Sequence, residues 1–216
     1  MQNKYPKIFI ILGNDDVKAN EPMMIEIEKQ GVWYYVHNKK VALENYFVFD
    51  YSYVPPTPFL LKDWEKYDVS RYVDPGCVPP TEGYYSVEID KDILEFSTIK
   101  EDLDLLTQNE DLSKSIFLFH SPPYKTYLDR ADLDGKMIDH VPLDVHVGSI
   151  AIERFIKQKQ PMITLHGHIH ESAQITGFWH EKIGNTLAIN AAHTRRKLSL
   201  VRFNLKNPEN LSKELI

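Results

Sequence analysis

Cysteine is almost absent from this chain. A single residue, Cys77, in 216 excludes an internal disulfide and any zinc finger built on cysteine. Long apolar runs are missing as well. No stretch approaches the roughly 18 residues needed to span a bilayer, and the run from Ile8 to Leu12 is too short for the core of a secretion signal. There is no basic excess: a net charge of −6 argues against the sequence-independent grip on phosphate backbones that basic proteins use. There is no internal repeat and no low-complexity tract. What is there is ordinary for a globular protein, 43% hydrophobic and 26% charged, and the length suits one domain over residues 1–216. The expectation is a soluble, cytoplasmic protein with no membrane contact and no strong nucleic-acid signal.

Proline supplies the punctuation. Pro55, Pro56, Pro58, Pro75, Pro79 and Pro80 crowd one region, which therefore cannot be one long helix or a central strand. It reads as a long loop, ordered against the body by its dense tyrosine and tryptophan, with a short amphipathic piece around Leu61 to Tyr67. Around it the elements alternate. Lys7 to Leu12 is an apolar, β-branched strand ended by Gly13-Asn14. Pro22 to Gln30 is a helix, with proline in its first turn and Gly31 past its end. Val32 to Val36, Lys40 to Leu43 and Tyr46 to Tyr53 read as strands, the first pair turning at Asn38-Lys39. Helices follow over Thr98 to Asn109 and Gly148 to Gln160. Further strands are expected at Ser115 to Phe119, Met162 to Leu165, Thr186 to Ile189 and Leu198 to Asn204. The alternation indicates an α/β layered fold with a mixed sheet.

Three of the apolar strands end in a residue able to bind metal or phosphate. Ile8 to Leu12 runs into Gly13-Asn14-Asp15-Asp16, Ile116 to Phe119 into His120, and Met162 to Leu165 into His166-Gly167-His168-Ile169-His170. In layered α/β folds the ligand site lies outside the carboxyl ends of such strands. Three imidazoles in five residues would repel one another if protonated, so the cluster favours neutral rings around a bound cation such as Zn, Fe, Ni or Mn. Its bland alternative is a surface histidine turn or hydrogen-bonded core histidines. His120 alone is a weak signal, although Ser121-Pro122-Pro123 forces an extended exit from the strand. Gly13-Asn14 alone is an ordinary turn.

In this order the three pieces resemble the calcineurin-like metallophosphoesterase superfamily. Gly13-Asn14-Asp15-Asp16 is similar to its Gly-Asn-His-Asp/Glu motif, His120 to its lone strand-end histidine, and Gly167-His168-Ile169-His170 to its Gly-His-x-His motif. Val145-His146-Val147-Gly148-Ser149 and Pro55-Pro56-Thr57-Pro58-Phe59 look more like the small bacterial and archaeal phosphoesterase branch. The resemblance implies a four-layer α/β/β/α sandwich and two divalent metal ions at the sheet edge. Asn14, His120 and His168 would bind one ion and His170 the other, with a bridging hydroxide attacking phosphorus in line. Asp15 and His120 are the catalytic candidates, and a small-molecule phosphate mono- or diester is the implied substrate. His166 borders the site.

The sequence departs from that pattern in two places. The family's Asp-x-His and Gly-Asp motifs precede Gly-Asn, but Gly13 leaves no room for them, and no Gly-Asp dipeptide occurs in the chain. Asp144-Val145-His146 has the first spelling in the wrong order and is read as a loop. The expectation is thus a sandwich missing its first strands, binding at most one metal well, hydrolysing poorly, and pairing with a second copy as a homodimer through an exposed sheet edge. Asp15 stands where the family usually has histidine; alternatively, Asp15 and Asp16 cap a helix. Other functional readings are an inactive scaffold of the same fold that binds a protein partner, and a mononuclear metal-binding or sensing protein. His193, Arg195 and Arg196 form a solvated basic turn or a phosphate clamp. Cys77, His37, His140 and His180 carry no motif.

Overall fold

The computed structural model describes residues 5–194 and 196–216; Arg195 lies outside the described residues. The strands in chain order are β1 (Phe9–Ile10), β2 (Tyr34–Tyr35), β3 (Lys40–Leu43), β4 (Tyr46–Tyr51), β5 (Ser115–Phe119), β6 (Met137–Ile138), β7 (Val141–Pro142), β8 (Ile163–His166), β9 (His180–Ile183), β10 (Thr186–Asn190), β11 (Ser199–Asn204) and β12 (Asn207–Leu215). The α-helices are α1 (Glu21–Lys29), α2 (Lys91–Phe96), α3 (Ile99–Leu106), α4 (Ile150–Lys159) and α5 (Ser172–Thr176).

A six-stranded mixed sheet in the order β3-β4-β5-β8-β10-β9 organises the chain. Its centre is parallel: β4 pairs with β5, β5 with β8, and β8 with β10, while β3 and β9 add antiparallel edges. Side-chain alternation along each strand divides the core into two faces. On one face, Phe49, Tyr51, Phe117 and Phe119 pack with Ile99 and Leu103 of α3 and Ile152, Phe155 and Ile156 of α4. On the other, Ile116, Ile163, Leu187 and Ile189 receive Val201, Phe203 and Leu211 of the β11–β12 hairpin. The α/β character and mixed sheet agree with the sequence reading. Among the described residues no helix is long and apolar enough to cross a membrane.

The two helices on the first face are fixed at their starts. Thr98 caps α3, its hydroxyl accepting from Glu101 N at 3.2 Å and donating to the Glu101 carboxylate at 2.9 Å. Ser149 caps α4 through Ile152 N at 3.0 Å. Asp68, from the distant loop, accepts from Ser149 Oγ at 2.6 Å and from the amides of Ile150 and Ala151 at 2.7 and 3.2 Å. A carboxylate on three donors at a helix start also complements the helix dipole.

Several local expectations are corrected. The first strand shortens to Phe9–Ile10 and pairs in parallel with Tyr34–Tyr35 in a separate two-stranded sheet. Lys40–Leu43 therefore does not turn back on that segment at Asn38-Lys39; it pairs with β4, and the tight turn falls at Glu44-Asn45, where Glu44 takes a φ of 54°. Leu61 to Tyr67, expected as an amphipathic piece, does not keep its polar side outward. Its polar residues turn inward instead: Lys62 Nζ donates to Glu65 at 2.5 Å and to Thr57 O at 2.9 Å, and Glu65 accepts from Thr57 N at 2.7 Å. This buried pair orders the proline-rich loop. Nearby, Asp50 on β4 is wholly buried with its Oδ1 unpartnered, and His37 Nδ1 lies 3.5 Å from its other oxygen. Burial raises the Asp50 carboxyl well above its usual range and lowers His37 to about 3.

Phe117 sits at the middle of the aromatic stack, its ring 4.8 Å from Phe49, 5.2 Å from Phe119 and 5.0 Å from Phe155. Phe117→Ala should cost about 3–5 kcal/mol, read as a lower urea midpoint with an unchanged slope. A loss below about 1 kcal/mol would mean that this face of the sheet is not the principal core.

Candidate metal centre

Three strand ends meet at one point. After β1 the chain closes a turn in which Asp16 N donates to Gly13 O at 3.0 Å and Gly13 N donates to the Asp16 carboxylate at 2.8 Å. Asp16 is therefore a turn residue and not a helix cap, and the turn presents Asn14. Asn14 Oδ1 lies 2.8 Å from His120 Nε2 and 2.9 Å from His168 Nδ1. The two imidazole rings are 5.1 Å apart at 59°. His120 follows β5, His168 follows β8, and Gly167 N donates to His120 O at 3.0 Å, which ties these two strand ends together.

The glycines and the backbone strain have a purpose here. A Cβ on Gly13 would fall 2.6–2.9 Å from the His120 ring, closer than carbon atoms tolerate, so only glycine lets the Asn14 turn approach the imidazole. His168 has a φ of 66°, and Ile169 N donates to Gly167 O across it at 2.8 Å. A three-residue turn with positive φ at a non-glycine centre is rare and strained. It aims the His168 ring at Asn14.

Burial lowers His120 to about 4, against the pull of Asp15 and Asp16, and lowers His168 to about 3, where His120 and His170 act in the same direction. Both rings are neutral at physiological pH. Asn14 Oδ1 can only accept, so each ring nitrogen facing it carries the proton. Two neutral imidazoles and one amide oxygen are donors of the kind that suit a first-row divalent ion. For both rings to coordinate such an ion at those nitrogens, His120 would hold its proton on Nδ1 and His168 on Nε2. Among the described residues no three His, Cys, Asp or Glu side chains gather to hold an ion; the trio succeeds as a donor set only by counting the amide.

The other sequence candidates are distributed differently. Asp15 is exposed and its Oδ1 stands 3.5 Å from Asn14 Nδ2, a long contact. His170 is exposed and makes no hydrogen bond to the trio among the described residues. His166 belongs to the core: it stacks on Phe119 at 5.5 Å and 6°, with Nδ1 2.9 Å from Ser121 O and Nε2 2.8 Å from Thr164 Oγ1.

Beside His168 opens a cavity of about 480 Å3, walled by the proline-rich loop, Phe59, Tyr72, Asp74, Tyr124 and His146. Cys77 lines it too, its thiol pushed up to about 11 by burial, so it is no nucleophile. Two features here were not foreseen. Asp129 and His146 form a dyad at 2.8 Å. Asn190, ending β10, donates through Nδ2 to Leu128 O at 2.9 Å, Ile169 O at 3.2 Å and Ser172 Oγ at 3.1 Å, pinning the loop after β8. A strand-final asparagine gives no sequence signal that separates it from a turn residue.

No protein-family model matches the chain. An uncharacterized protein, MJ1162 of Methanocaldococcus jannaschii, is 42% identical over 80 residues, which make up 36% of this chain and 31% of that protein. The matched stretch thus spans about a third of the relative. One crystal structure superposes with a TM-score of 0.57 at 18% identity, over 97% of this chain and 65% of its own. That of TT1561 of Thermus thermophilus gives 0.50 at 16% identity, over 96% and 71%. These likenesses concern the fold.

Because His166 is neutral in the fold, with burial lowering it to about 4, the unfolded chain takes up its proton first, near pH 6.5. This contribution is complete above pH 6.5 and is lost as pH falls towards 4, at about 1.4 kcal/mol per pH unit; His120 and His168 act in the same sense. Urea midpoints of metal-free protein should fall over that window. Midpoints flat from pH 6.5 to 4.5 would show that these rings are not held neutral.

Proposed function

We propose that the chain carries a metal-dependent phosphoesterase site, of the metallophosphoesterase kind, acting on a phosphate mono- or diester of a small molecule. The observation that carries this reading is the convergence of Asn14 Oδ1 with His120 and His168 at 2.8 and 2.9 Å, at the carboxyl ends of separate strands and beside an open cavity. A sheet with helices on one face and a β-hairpin on the other is compatible with the sandwich of that superfamily.

Asn14, His120 and His168 would hold one divalent ion, of Mn, Zn, Fe or Ni. The ion supplies Lewis acidity towards a phosphoryl oxygen and makes a water acidic enough to act as nucleophile near neutral pH. The chain's own residues do the rest. His120 and His168 are neutral rings, and each would offer a lone pair to the ion once its hydrogen moves to the other ring nitrogen. Asp15 steadies the Asn14 amide so that its oxygen and not its nitrogen faces the rings; a carboxylate nearer the phosphate would repel it. The family resemblance would give His170, which is exposed, to a second ion. A phosphoryl group at the trio leaves the ester's remaining substituent in the cavity beside His168.

One observation favours a second reading. The donor set contains no carboxylate, and a carboxylate normally draws cations from water and bridges two of them. A chain that binds one ion and hydrolyses nothing would be a metal-binding scaffold.

The test is a metal titration followed by an ester assay. Calorimetry with Zn or Mn should show about one ion bound, and Asn14→Ala and His168→Ala should each lower affinity by at least about 10-fold. Hydrolysis of an aryl phosphodiester should be slow, abolished by chelator, and fall with the same variants. Binding without hydrolysis selects the scaffold. Binding unaffected by either variant removes the trio from the site.

A further inference from the structure

The structure assigns a proton donor to this site: we propose that His146, oriented by Asp129, protonates the departing ester oxygen. This rests on the phosphoesterase reading of the metal centre and extends it to residues outside the metal-ligand set.

Asp129 is wholly buried. Its carboxylate accepts from three backbone amides, Lys125 N at 2.9 Å, Thr126 N at 3.0 Å and Gly148 N at 3.2 Å. Those bonds satisfy an ionised carboxylate and leave it nothing to donate. The fourth contact, His146 Nδ1 at 2.8 Å, therefore has the imidazole as donor. The tautomer is fixed: Nδ1 keeps its hydrogen, and Nε2 is the atom that gains or loses a proton. Nε2 makes no hydrogen bond among the described residues, and His146 lines the cavity that also contains His168.

A base held through one nitrogen by a buried carboxylate, with its other nitrogen free of hydrogen bonds among the described residues and the residue itself lining a cavity, is the arrangement of an acid–base catalyst. The chain around it is constrained as a catalyst's support should be. Arg130 bridges to His146, Val147 N donates to Asp129 O at 3.2 Å, and a Cβ on Gly148 would meet the Asp129 Cβ at 2.8 Å. The Tyr124 ring stands edge-on to the imidazole at 6.2 Å, and its hydroxyl donates to Asp144 at 2.6 Å. Asp144 also accepts from His146 N at 2.9 Å. The Asp-x-His spelling at 144–146 thus has no place among the metal ligands and has one at the opposite side of the cavity.

In the step, water oxygen bonds to phosphorus and the ester P–O bond breaks. The electron pair goes to the leaving oxygen, which takes the proton from Nε2 of the imidazolium. The water's proton passes to solvent, and the neutral imidazole regains its own from solvent. Asp129 touches no reacting atom and is a positioning residue.

The variant His146→Asn separates catalysis from structure, because the asparagine amide can still donate to Asp129 while nothing replaces Nε2. With metal-loaded protein, hydrolysis of an alkyl phosphodiester should fall about 100-fold or more. That of a nitrophenyl ester, whose leaving group needs no proton, should fall less than about threefold. His146→Ala should show the same split with a lower melting temperature, which His146→Asn restores. Independently of turnover, 15N histidine spectra of the metal-free protein taken above the titration of the ring should place the remaining His146 hydrogen on Nδ1. Equal losses on both esters, or none on either, would overturn the donor role and leave the metal site standing. So would a hydrogen on Nε2 in the neutral ring. A wild-type protein that binds metal yet hydrolyses neither ester overturns the phosphoesterase reading and the donor role together.

Discussion

A single oxygen atom organises the candidate site. Asn14 Oδ1 accepts from two imidazoles that arrive from separate strands, and almost everything nearby exists to let it do so. Gly13 yields the space its Cβ would take, Asp16 closes the turn that presents Asn14, and His168 accepts a strained backbone to bring its ring round. Buried polar groups of this kind must find partners or cost several kcal/mol. Here the partners are one another, so the arrangement is already a closed hydrogen-bonded unit.

The sheet makes that unit possible. Parallel strands β4, β5 and β8 bring their carboxyl ends to one edge, and the helices on the first face hold them at fixed spacing through the aromatic stack around Phe117. The loops at that edge are then free to carry chemistry. Asp68, Asp129 and Asn190 have a common task. Each satisfies backbone groups outside the sheet ladder: Asp68 the first amides of α4, Asp129 the amides of Lys125 and Thr126, and Asn190 the carbonyls of Leu128 and Ile169.

Strong apolar periodicity made the central strands and α4 legible in the sequence, and Pro22 marked the start of α1; the capping role of Ser149 appeared only in the structure. The strand-end positions of Asn14, His120 and His168 were legible for the same reason, since a terminus is easy to locate when the strand before it is all apolar. Polar strands were not. His180-Glu181-Lys182-Ile183 and Asn207 to Leu215 alternate too weakly to be read, and they form because tight turns fold them onto apolar partners. The turn near residue 38 was misplaced because Asn38 and Glu44 both take positive φ, and only one of them closes a hairpin. The Asp129–His146 dyad was invisible for a different reason: its members are 17 positions apart, in loops without periodicity, and their meeting depends on Arg130 bridging back to His146.

The buried pair between β4 and the segment after β2 carries one more implication. Burial pushes the Asp50 carboxyl well above its usual range and the His37 imidazole beside it down to about 3. The raised carboxyl contributes stability that is present below its unfolded value and is lost as pH climbs through its folded one, opposite in sense to the imidazoles. Folding therefore takes up protons at Asp50 and releases them at the buried rings, so the carboxyl and the imidazoles answer to acid in opposite directions.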